Sequence, residues 1–188
     1  MKKLAFWGAI TLLLAATLHL CAMYALPRMV THRLLDRVFN SSQNWAKEKV
    51  NRLFHATLRA PGTDKIPIDN PDTMTSFGFY DLSKGPVRVH CAKPTAGNYW
   101  SLSLYAWNTD NYFVINDKQV DGNTIDVVIV HKGQKYIALP GEKVVESPDK
   151  KGIILNRIIV RDRNNSDELM AASVVQKMSY MEALASQK

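Results

Sequence analysis

The sequence has very few cysteines, because only Cys21 and Cys91 occur among its 188 residues. One lies in an apolar amino-terminal run and the other in the more polar remainder, so we expect no pairing within one chain and no disulfide framework. No Cys-x-x-Cys or His-x-x-x-His spacing occurs either, which argues against a zinc site. The sequence therefore predicts neither a metal nor another cofactor.

The beginning of the chain lacks charge. No Asp, Glu, Lys or Arg occurs from Leu4 to Leu26, and a bilayer core needs about 20 apolar residues in a helix. A helix also satisfies every backbone N–H and C=O within lipid. We therefore predict a single-pass transmembrane signal-anchor helix over residues 1–27. The alternative is a cleaved secretory signal, but its apolar part spans only about 7 to 15 residues and no A-x-A site follows.

Basic residues are concentrated beside this run, in a chain whose formal net charge is +7. The ones that we expect at the membrane surface are Arg28, Arg33 and Arg37. Anionic headgroups attract such residues by about 1 kcal/mol per charge. Membrane lipid is therefore an expected partner. Nucleic acid is not, because no DNA- or RNA-binding motif follows.

The short basic start, Lys2-Lys3, favours an amino terminus inside the cell and a periplasmic or extracytoplasmic location for the bulk of the chain. His19 lies within the predicted span. An ionisable group there is a functional candidate, and the alternative is a neutral histidine near the outer interface.

The remainder is predicted to be mainly β. Residues 28–60 read as basic amphipathic juxtamembrane helices, the second from a Ser42 cap to Leu58. Residues 61–164 read as a β domain of seven short strands, Ser76–Leu82, Val87–Cys91, Tyr99–Asn108, Phe113–Ile115, Thr124–Val130, Tyr136–Leu139 and Ile153–Val160. Such spacing predicts an antiparallel β-sandwich or a jelly roll.

Residues 165–188 are predicted to form a C-terminal helix. Asn165 and Glu168 have the spacing of a capping box. One stripe, interpreted as a packed helix face rather than a ligand groove, contains Met170, Val174, Met178 and Met181.

Several motifs together resemble a bacterial family known only as domain of unknown function 1254. They are Asn70-Pro71-Asp72-Thr73, Asp81-Leu82-Ser83-Lys84-Gly85-Pro86-Val87 and Gly97-Asn98-Tyr99-Trp100-Ser101-Leu102, with weaker matches out to Val160. The short, membrane-anchored arrangement resembles the small members of that family. The resemblance implies an all-β, jelly-roll-like domain and no established reaction. Larger relatives join this domain to a second one, number 1214, which a separate membrane protein is expected to supply here.

The strand Tyr99–Asn108 is the most informative for function. Alternation places Trp100, Leu102, Leu104 and Ala106 on the core side. The opposite side carries hydroxyls between aromatic ends, Tyr99, Ser101, Ser103, Tyr105 and Trp107. This face could bind a sugar or a flat small molecule. Alternatively, the juxtamembrane helix, the membrane or a partner chain covers it.

Other polar residues are weaker candidates for chemistry. Three acids in turns or at strand ends could perform general acid–base catalysis, namely Asp72, Asp81 and Asp110. His90 cannot activate Cys91, because neighbouring strand residues point to opposite faces. Structural roles are expected for Asn70, Pro71, Thr73, Gly85, Pro86 and Arg157; if buried, Arg157 needs a carboxylate such as Asp72, Asp81 or Asp126.

The sequence leaves two main hypotheses for function and a third that rests on one residue. The first is a non-catalytic single-pass membrane protein whose β domain binds a partner protein at the cell envelope. The second is an envelope hydrolase or carbohydrate-binding protein that uses the aromatic face with Asp72 or Asp110. Lipid or haem handling through His19 is a third and weaker possibility.

Overall fold

The computed structural model describes residues 2–39, 50–58, 70–95 and 97–185. The chain begins with a helix, continues through nine strands and places a second helix before the last strand. In chain order the elements are α1 (Lys2–Phe39), β1 (Arg52–His55), β2 (Thr73–Asp81), β3 (Val87–Ala92), β4 (Trp100–Ala106), β5 (Asn111–Asn116), β6 (Thr124–His131), β7 (Glu142–Ser147), β8 (Lys151–Ile159), α2 (Ser166–Met178) and β9 (Tyr180–Ala183).

Helix α1 is long and apolar enough to cross a membrane. All of its large apolar side chains from Leu4 to Val30 except Ile10 are exposed. The hydroxyls of Thr11 and Thr17 donate to the carbonyls of Trp7 and Leu13 one turn earlier, so these two polar groups are satisfied within the helix. Pro27 lies inside α1, which continues for another three turns.

The strands form two sheets. The first sheet has the order β1-β2-β8-β4-β5, and the second has the order β7-β6-β3-β9. Neighbouring strands are antiparallel except β6 and β7, which are parallel. The prediction of a purely antiparallel arrangement is therefore wrong at this edge. A connection over residues 132–141 carries the chain back so that β7 can run in the same direction as β6.

Both sheets contribute to one apolar core. Tyr80, Trp100 and Ile158 from the first sheet and Val89 and Met181 from the second belong to the same buried cluster. The core forms because alternate residues of each strand point to one side of the sheet. Strand β6 lies between β7 and β3, so it is an internal strand of the second sheet.

Three strands of the structure were not predicted, and one predicted strand does not form. The predicted helix from Ser42 to Leu58 is wrong over Arg52–His55, which pairs with β2 as an edge strand; its cap at Ser42 lies outside the described residues. The stretch Tyr136–Leu139 is not a strand, and its Ile137 and Leu139 are exposed. Strands β7 and β9 were not predicted, because β7 has a largely polar sequence and β9 is only four residues long.

Helix α2 begins as predicted but packs differently. The Asn165 side chain accepts hydrogen bonds from the backbone N–H groups of Asp167 and Glu168, which confirms the cap. The buried side of α2 carries Ala172 and Gln176 instead of the predicted apolar stripe. The prediction of a packed methionine face is therefore wrong. Met170, Val174 and Met178 are exposed, whereas Met181 is buried in β9, beyond the end of the helix.

Candidate functional site

Strand β4 separates a core side from an outer side, as the sequence predicted. Trp100, Leu102, Leu104 and Ala106 are completely buried in the core. We call the opposite surface of the first sheet the outer face, and the predicted ligand-binding residues of β4 and its flanks lie along it: Tyr99, Ser101, Ser103, Tyr105 and Trp107. Tyr99 and Trp107 are eight residues apart, or about 26 Å along a strand at roughly 3.3 Å per residue. They cannot both contact one small ring.

The hydroxyl groups between the two aromatic ends are largely withdrawn from solvent. Ser101 and Ser103 are each 5% exposed, whereas Tyr99 is 44% exposed. Tyr105 and Trp107 are partly buried. The two serine hydroxyls are therefore much less accessible than Tyr99 at one end of the face, or than Val114 of β5, which pairs with Ser103 and is 47% exposed.

The end of helix α1 packs on the outer face at Trp107. The Trp107 Nε1–H donates a hydrogen bond of 2.8 Å to Nδ1 of His32. Leu35 is fully buried and forms a cluster with Phe79, and the Phe39 ring packs edge-on against the Phe79 ring. This end of the predicted ligand face is thus occupied by the chain's own helix.

The middle of the outer face carries an arginine between two hydroxyl residues. The strand register places Thr75 of β2 and Ser101 of β4 directly beside Arg157 of β8, one on each side. Arg157 is partly buried. Within the described residues no carboxylate lies within 4.0 Å of its guanidinium, so the predicted partners Asp72, Asp81 and Asp126 are not ion-paired with it.

The three candidate catalytic acids are not brought together. Asp72 precedes the nine-residue strand β2 and Asp81 is its last residue. The two acids are therefore about 30 Å apart, at roughly 3.3 Å per residue. Asp110 lies beside β5, three strands from Asp81, or about 14 Å at roughly 4.8 Å per strand. Paired glycosidase carboxylates lie about 5 to 9.5 Å apart. Neither spacing suits that chemistry.

Each of these acids has a local partner instead. The Asp81 carboxylate accepts a hydrogen bond from the Ser83 N–H in the turn before Gly85 and lies 4.0 Å from Lys151 Nζ. Asp72 lies 3.8 Å from Arg163 Nε, and Asp110 accepts a hydrogen bond from the Asn108 side chain.

The residues proposed as structural lie in the turns that flank β2. The Asn70 side chain accepts a hydrogen bond from the Asp72 N–H across Pro71, and the Thr73 N–H bonds to the Asn70 carbonyl. Gly85 closes a turn onto the Leu82 carbonyl, and the Pro86 carbonyl accepts from Leu184.

The second sheet carries a charged cluster that the sequence analysis did not identify. Arg88 donates to Glu142 Oε1 at 2.5 Å and to Glu182 Oε1 at 2.8 Å. Burial acts to raise the pKa of Glu142, but hydrogen bonds from the Leu139 N–H, Arg88 and Tyr136 outweigh it, so the pKa lies below its usual value. The sequence signal for this cluster was a charged residue, Arg88, within an apolar strand. Its partners could not be identified from the sequence, because they lie 54 and 94 residues away.

A histidine–carboxylate pair lies next to this cluster. His90 Nδ1 is 2.8 Å from Asp126 Oδ1, and the imidazole stacks on the Tyr180 ring with centroids 4.9 Å apart. Cys91 points the other way and is fully buried in the core. Burial raises the pKa of the Cys91 thiol, and the two side chains lie on opposite sides of β3, as the sequence predicted.

The sequence also did not predict a buried network of hydrogen-bonded hydroxyl groups. The Tyr112 hydroxyl donates to the Tyr80 hydroxyl at 3.0 Å, and Tyr80 lies 2.9 Å from Ser147 Oγ. Burial raises the pKa of both tyrosines. These hydroxyls therefore stay protonated and neutral, so the network stabilises the fold and supplies no base.

A cleft of about 330 Å³ lies between the loop after β3 and the start of α2. The Asn98 side-chain amide beside it donates to the Ile159 carbonyl and to Glu168 Oε1. The Glu168 carboxylate also accepts hydrogen bonds from the N–H groups of Arg161 and Asp162, the first of which contributes most to lowering its pKa. The Asn98 amide nitrogen and the Glu168 carboxylate thus hold α2 against the sheets, whereas Oδ1 of Asn98 is buried without a hydrogen-bond partner among the described residues.

The described residues contain no group of three or more His, Cys, Asp or Glu side chains that could hold a metal ion. His19 is exposed on the apolar part of α1. Of the basic residues predicted at the membrane surface, Arg28 lies over the Tyr24 ring at 3.7 Å, and Arg33 and Arg37 are exposed on the helix.

Comparison with known proteins gives a family and a related fold. A family model described as "Protein of unknown function (DUF1254)" matches residues 50–182. A crystal structure of the VPA0106 protein from Vibrio parahaemolyticus is similar with a TM-score of 0.65 and 14% identity, over 86% of this chain and 36% of that one. A structure from Burkholderia cenocepacia gives a TM-score of 0.48 and 16% identity, over 87% and 41%. A search of curated proteins found no match.

The present chain thus spans little more than a third of the length of the Vibrio protein. At 14% identity this likeness concerns the fold alone.

Proposed function

The chain belongs to the DUF1254 family of proteins of unknown function, and we propose that it is a single-pass membrane protein whose β domain binds a partner protein at the cell envelope. The observation that carries the proposal is an exposed apolar stripe on helix α2. Met170, Val174 and Met178 follow one another at four-residue spacing, so they share one face of the helix. All three are more than half exposed.

An exposed apolar stripe of this kind supports the proposal of an interaction site on α2. Contiguous exposed apolar surface is uncommon on soluble domains and usually serves recognition. Methionine suits such a surface, because its flexible thioether adapts to the shape of a partner. Helix α2 has its own buried side at Ala172 and Gln176, so the stripe is not needed to hold the helix on the domain.

The anchor half of the proposal is supported by α1. Leucine, methionine and aromatic side chains from Leu4 to Leu26 are exposed on every side of the helix, and a bilayer would cover that surface. We propose that the amino terminus lies inside the cell and that the domain is extracytoplasmic. A reporter fused after Lys188, active only on one side of the membrane, tests this; activity on the cytoplasmic side would contradict it.

For the β domain we propose a β-sandwich of jelly-roll type with one parallel strand, β7, added at an edge. Face-to-face packing of the two sheets is supported by their common core.

The partner that we propose is a membrane protein carrying a DUF1214 domain, as the resemblance to larger family members implies. Co-purification of the full chain with such a protein from a mild uncharged detergent tests the pairing. Recovery of the chain as a monomer without the partner, when both proteins are present well above their detection limits, would contradict the pairing.

The α2 stripe is tested in the same experiment. Val174→Glu places a charge in the middle of the stripe and should reduce partner recovery at least tenfold, because a buried unpaired carboxylate is strongly unfavourable. Val114→Glu is the matched control, since Val114 is 47% exposed on β5 and Val174 is 53% exposed on α2. Equal loss in both variants would exclude the stripe as the partner site.

An envelope hydrolase is the weaker proposal. It needs two acids that face one substrate, and the separations between Asp72, Asp81 and Asp110 do not support it. Carbohydrate binding without catalysis would have to use the exposed Tyr99 end of the outer face.

A further inference from the structure

Arg157 occupies an unusual position for a charged residue. It is partly buried in the middle strand of the first sheet, between β2 and β4. Within the part of the chain that the structure describes, its guanidinium makes neither a hydrogen bond nor an ion pair. Partly buried arginines usually bind a carboxylate or a phosphate, since desolvation of the guanidinium is otherwise uncompensated.

The neighbours of Arg157 add further free hydrogen-bonding groups. Thr75 and Ser101 flank it in register, and Ser103 follows two residues later on β4. None of these three hydroxyls makes a hydrogen bond in the described residues. The outer face thus combines one guanidinium with one partly buried hydroxyl, Thr75, and two nearly buried ones, Ser101 and Ser103, none of which has an acceptor among the described residues. This set of donors is suited to an oxyanion.

An apolar path leads from this polar row to the end of helix α1. The next register row holds Phe77 and Leu155, and the row beyond it holds Phe79 and Ile153. Phe79 and Ile153 belong to the cluster that packs around Leu35 of α1. Arg157 and Ile153 are four residues apart, or about 13 Å at roughly 3.3 Å per residue.

We propose that the outer face of the first sheet binds an anionic membrane amphiphile, with its phosphate or carboxylate head at Arg157 and its alkyl chain over Leu155, Phe77 and Ile153 toward α1. Charge complementarity selects the head, because a planar guanidinium can hold two oxyanion oxygens at once. The apolar path and its continuity with the α1 contact select an amphiphile over a free anion. The site goes beyond the proposed partner binding, which uses α2.

The test uses the full chain in an uncharged detergent and native mass spectrometry to count retained molecules. Dodecyl phosphate is the probe, while dodecanol and inorganic phosphate represent the chain and the head alone. We expect one retained dodecyl phosphate and a retention at least tenfold lower for either partial probe. Equal retention of inorganic phosphate, or of dodecanol, would overturn the proposal.

Variants assign the binding to Arg157. Arg157→Gln should lower dodecyl phosphate retention at least tenfold, whereas Arg52→Gln, an exposed arginine on the β1 edge of the same sheet, should retain it like the natural chain. Equal retention by Arg157→Gln would overturn the assignment.

If Arg157→Gln does not fold, Arg157→Lys keeps the charge and removes the planar fork. It should lower retention several-fold, and unchanged retention would again overturn the proposal. Because α2 is untouched in these variants, partner recovery should remain normal, which separates this test from that of the proposed function.

Discussion

The indole N–H of Trp107 and the imidazole Nδ1 of His32 form a 2.8 Å hydrogen bond between a turn of the β domain and helix α1, 75 residues earlier in the chain. The two rings also pack edge-on with centroids 5.5 Å apart. The helix that is apolar enough to cross a membrane is therefore fixed directly to the domain. We expect motion of α1 and orientation of the domain to be coupled through this contact.

Weakening the contact should free the last turns of α1 without unfolding the domain. Leu35→Ala removes a fully buried side chain. It should make the free energy of packing α1 on the domain less favourable by about 3 kcal/mol. Trp107→Phe keeps an aromatic ring and removes only the N–H donor, so it should cost about 1 kcal/mol. Amide hydrogen exchange over residues 32–39, in detergent, measures both effects.

Met29→Ala is the control for this series, because Met29 is half exposed on the same helix and its truncation should leave the exchange of residues 32–39 unchanged. Equal protection in all three variants would mean that α1 is not held by Leu35 and Trp107.

Gly152 should not tolerate a side chain. A Cβ atom there would clash with the Tyr80 hydroxyl and with the Tyr105 carbonyl oxygen, which belongs to the backbone and cannot move aside easily. Gly152→Ala should therefore destabilise the chain by about 3 kcal/mol, measured by denaturant unfolding of the full chain in detergent. Gly133→Ala meets no atom within 4 Å but has φ +80, so it should cost only about 1 kcal/mol. The reverse order would contradict the packing around Tyr80.

The Arg88–Glu142 pair should make stability depend on pH in the acid range. The folded pKa of Glu142 lies below the unfolded value of 4.5, so its contribution is complete above that pH and is lost as pH falls through the folded pKa. Glu142→Gln should cost about 2 kcal/mol at pH 7, since Arg88 loses a charged acceptor that is only 4% exposed.

The same substitution should flatten the fall in stability below pH 4.5. Glu146→Gln, an exposed acid of the same strand, is the control and should leave the profile unchanged. Thermal unfolding between pH 3 and 7 separates the two, and parallel profiles for Glu142→Gln and the natural chain would exclude this pair as a source of acid sensitivity.

The sequence predicts the strands whose pattern is local. Strand β3 alternates Val87, Val89 and Cys91 with polar residues, and β6 is apolar on both sides, so their existence and their central position follow from residue order. Strand β7 was missed because it pairs in parallel through a ten-residue connection. A parallel edge strand gains its stability from a neighbour that its own sequence does not indicate.

The candidate sites depend on register between distant strands, which the sequence does not reveal. Arg157 could be recognised as a charge in an apolar strand, but its position between Thr75 and Ser101 requires the pairing of β2, β8 and β4. The stripe on α2 illustrates the opposite difficulty. Its spacing was visible in the sequence, but whether it faces the core or solvent is decided by Ala172 and Gln176, whose small or polar side chains do not mark a buried face.

The remaining prediction concerns the anchor, on which both the location and the amphiphile site depend. Leu12 and Leu13 are exposed near the middle of the apolar part of α1. An Asp at the centre of a membrane helix makes the free energy of insertion less favourable by about 3 kcal/mol. Leu12→Asp combined with Leu13→Asp should therefore make the free energy of inserting α1 less favourable by about 6 kcal/mol. The natural chain should stay in the membrane fraction after an alkaline wash, and the double variant should be released or degraded. Thr31→Asp lies beyond the apolar run and should behave like the natural chain. Release of the natural chain by the wash would instead mean that α1 binds only at the membrane surface or through a partner, and an alkyl chain reaching Ile153 along α1 would then lose its source.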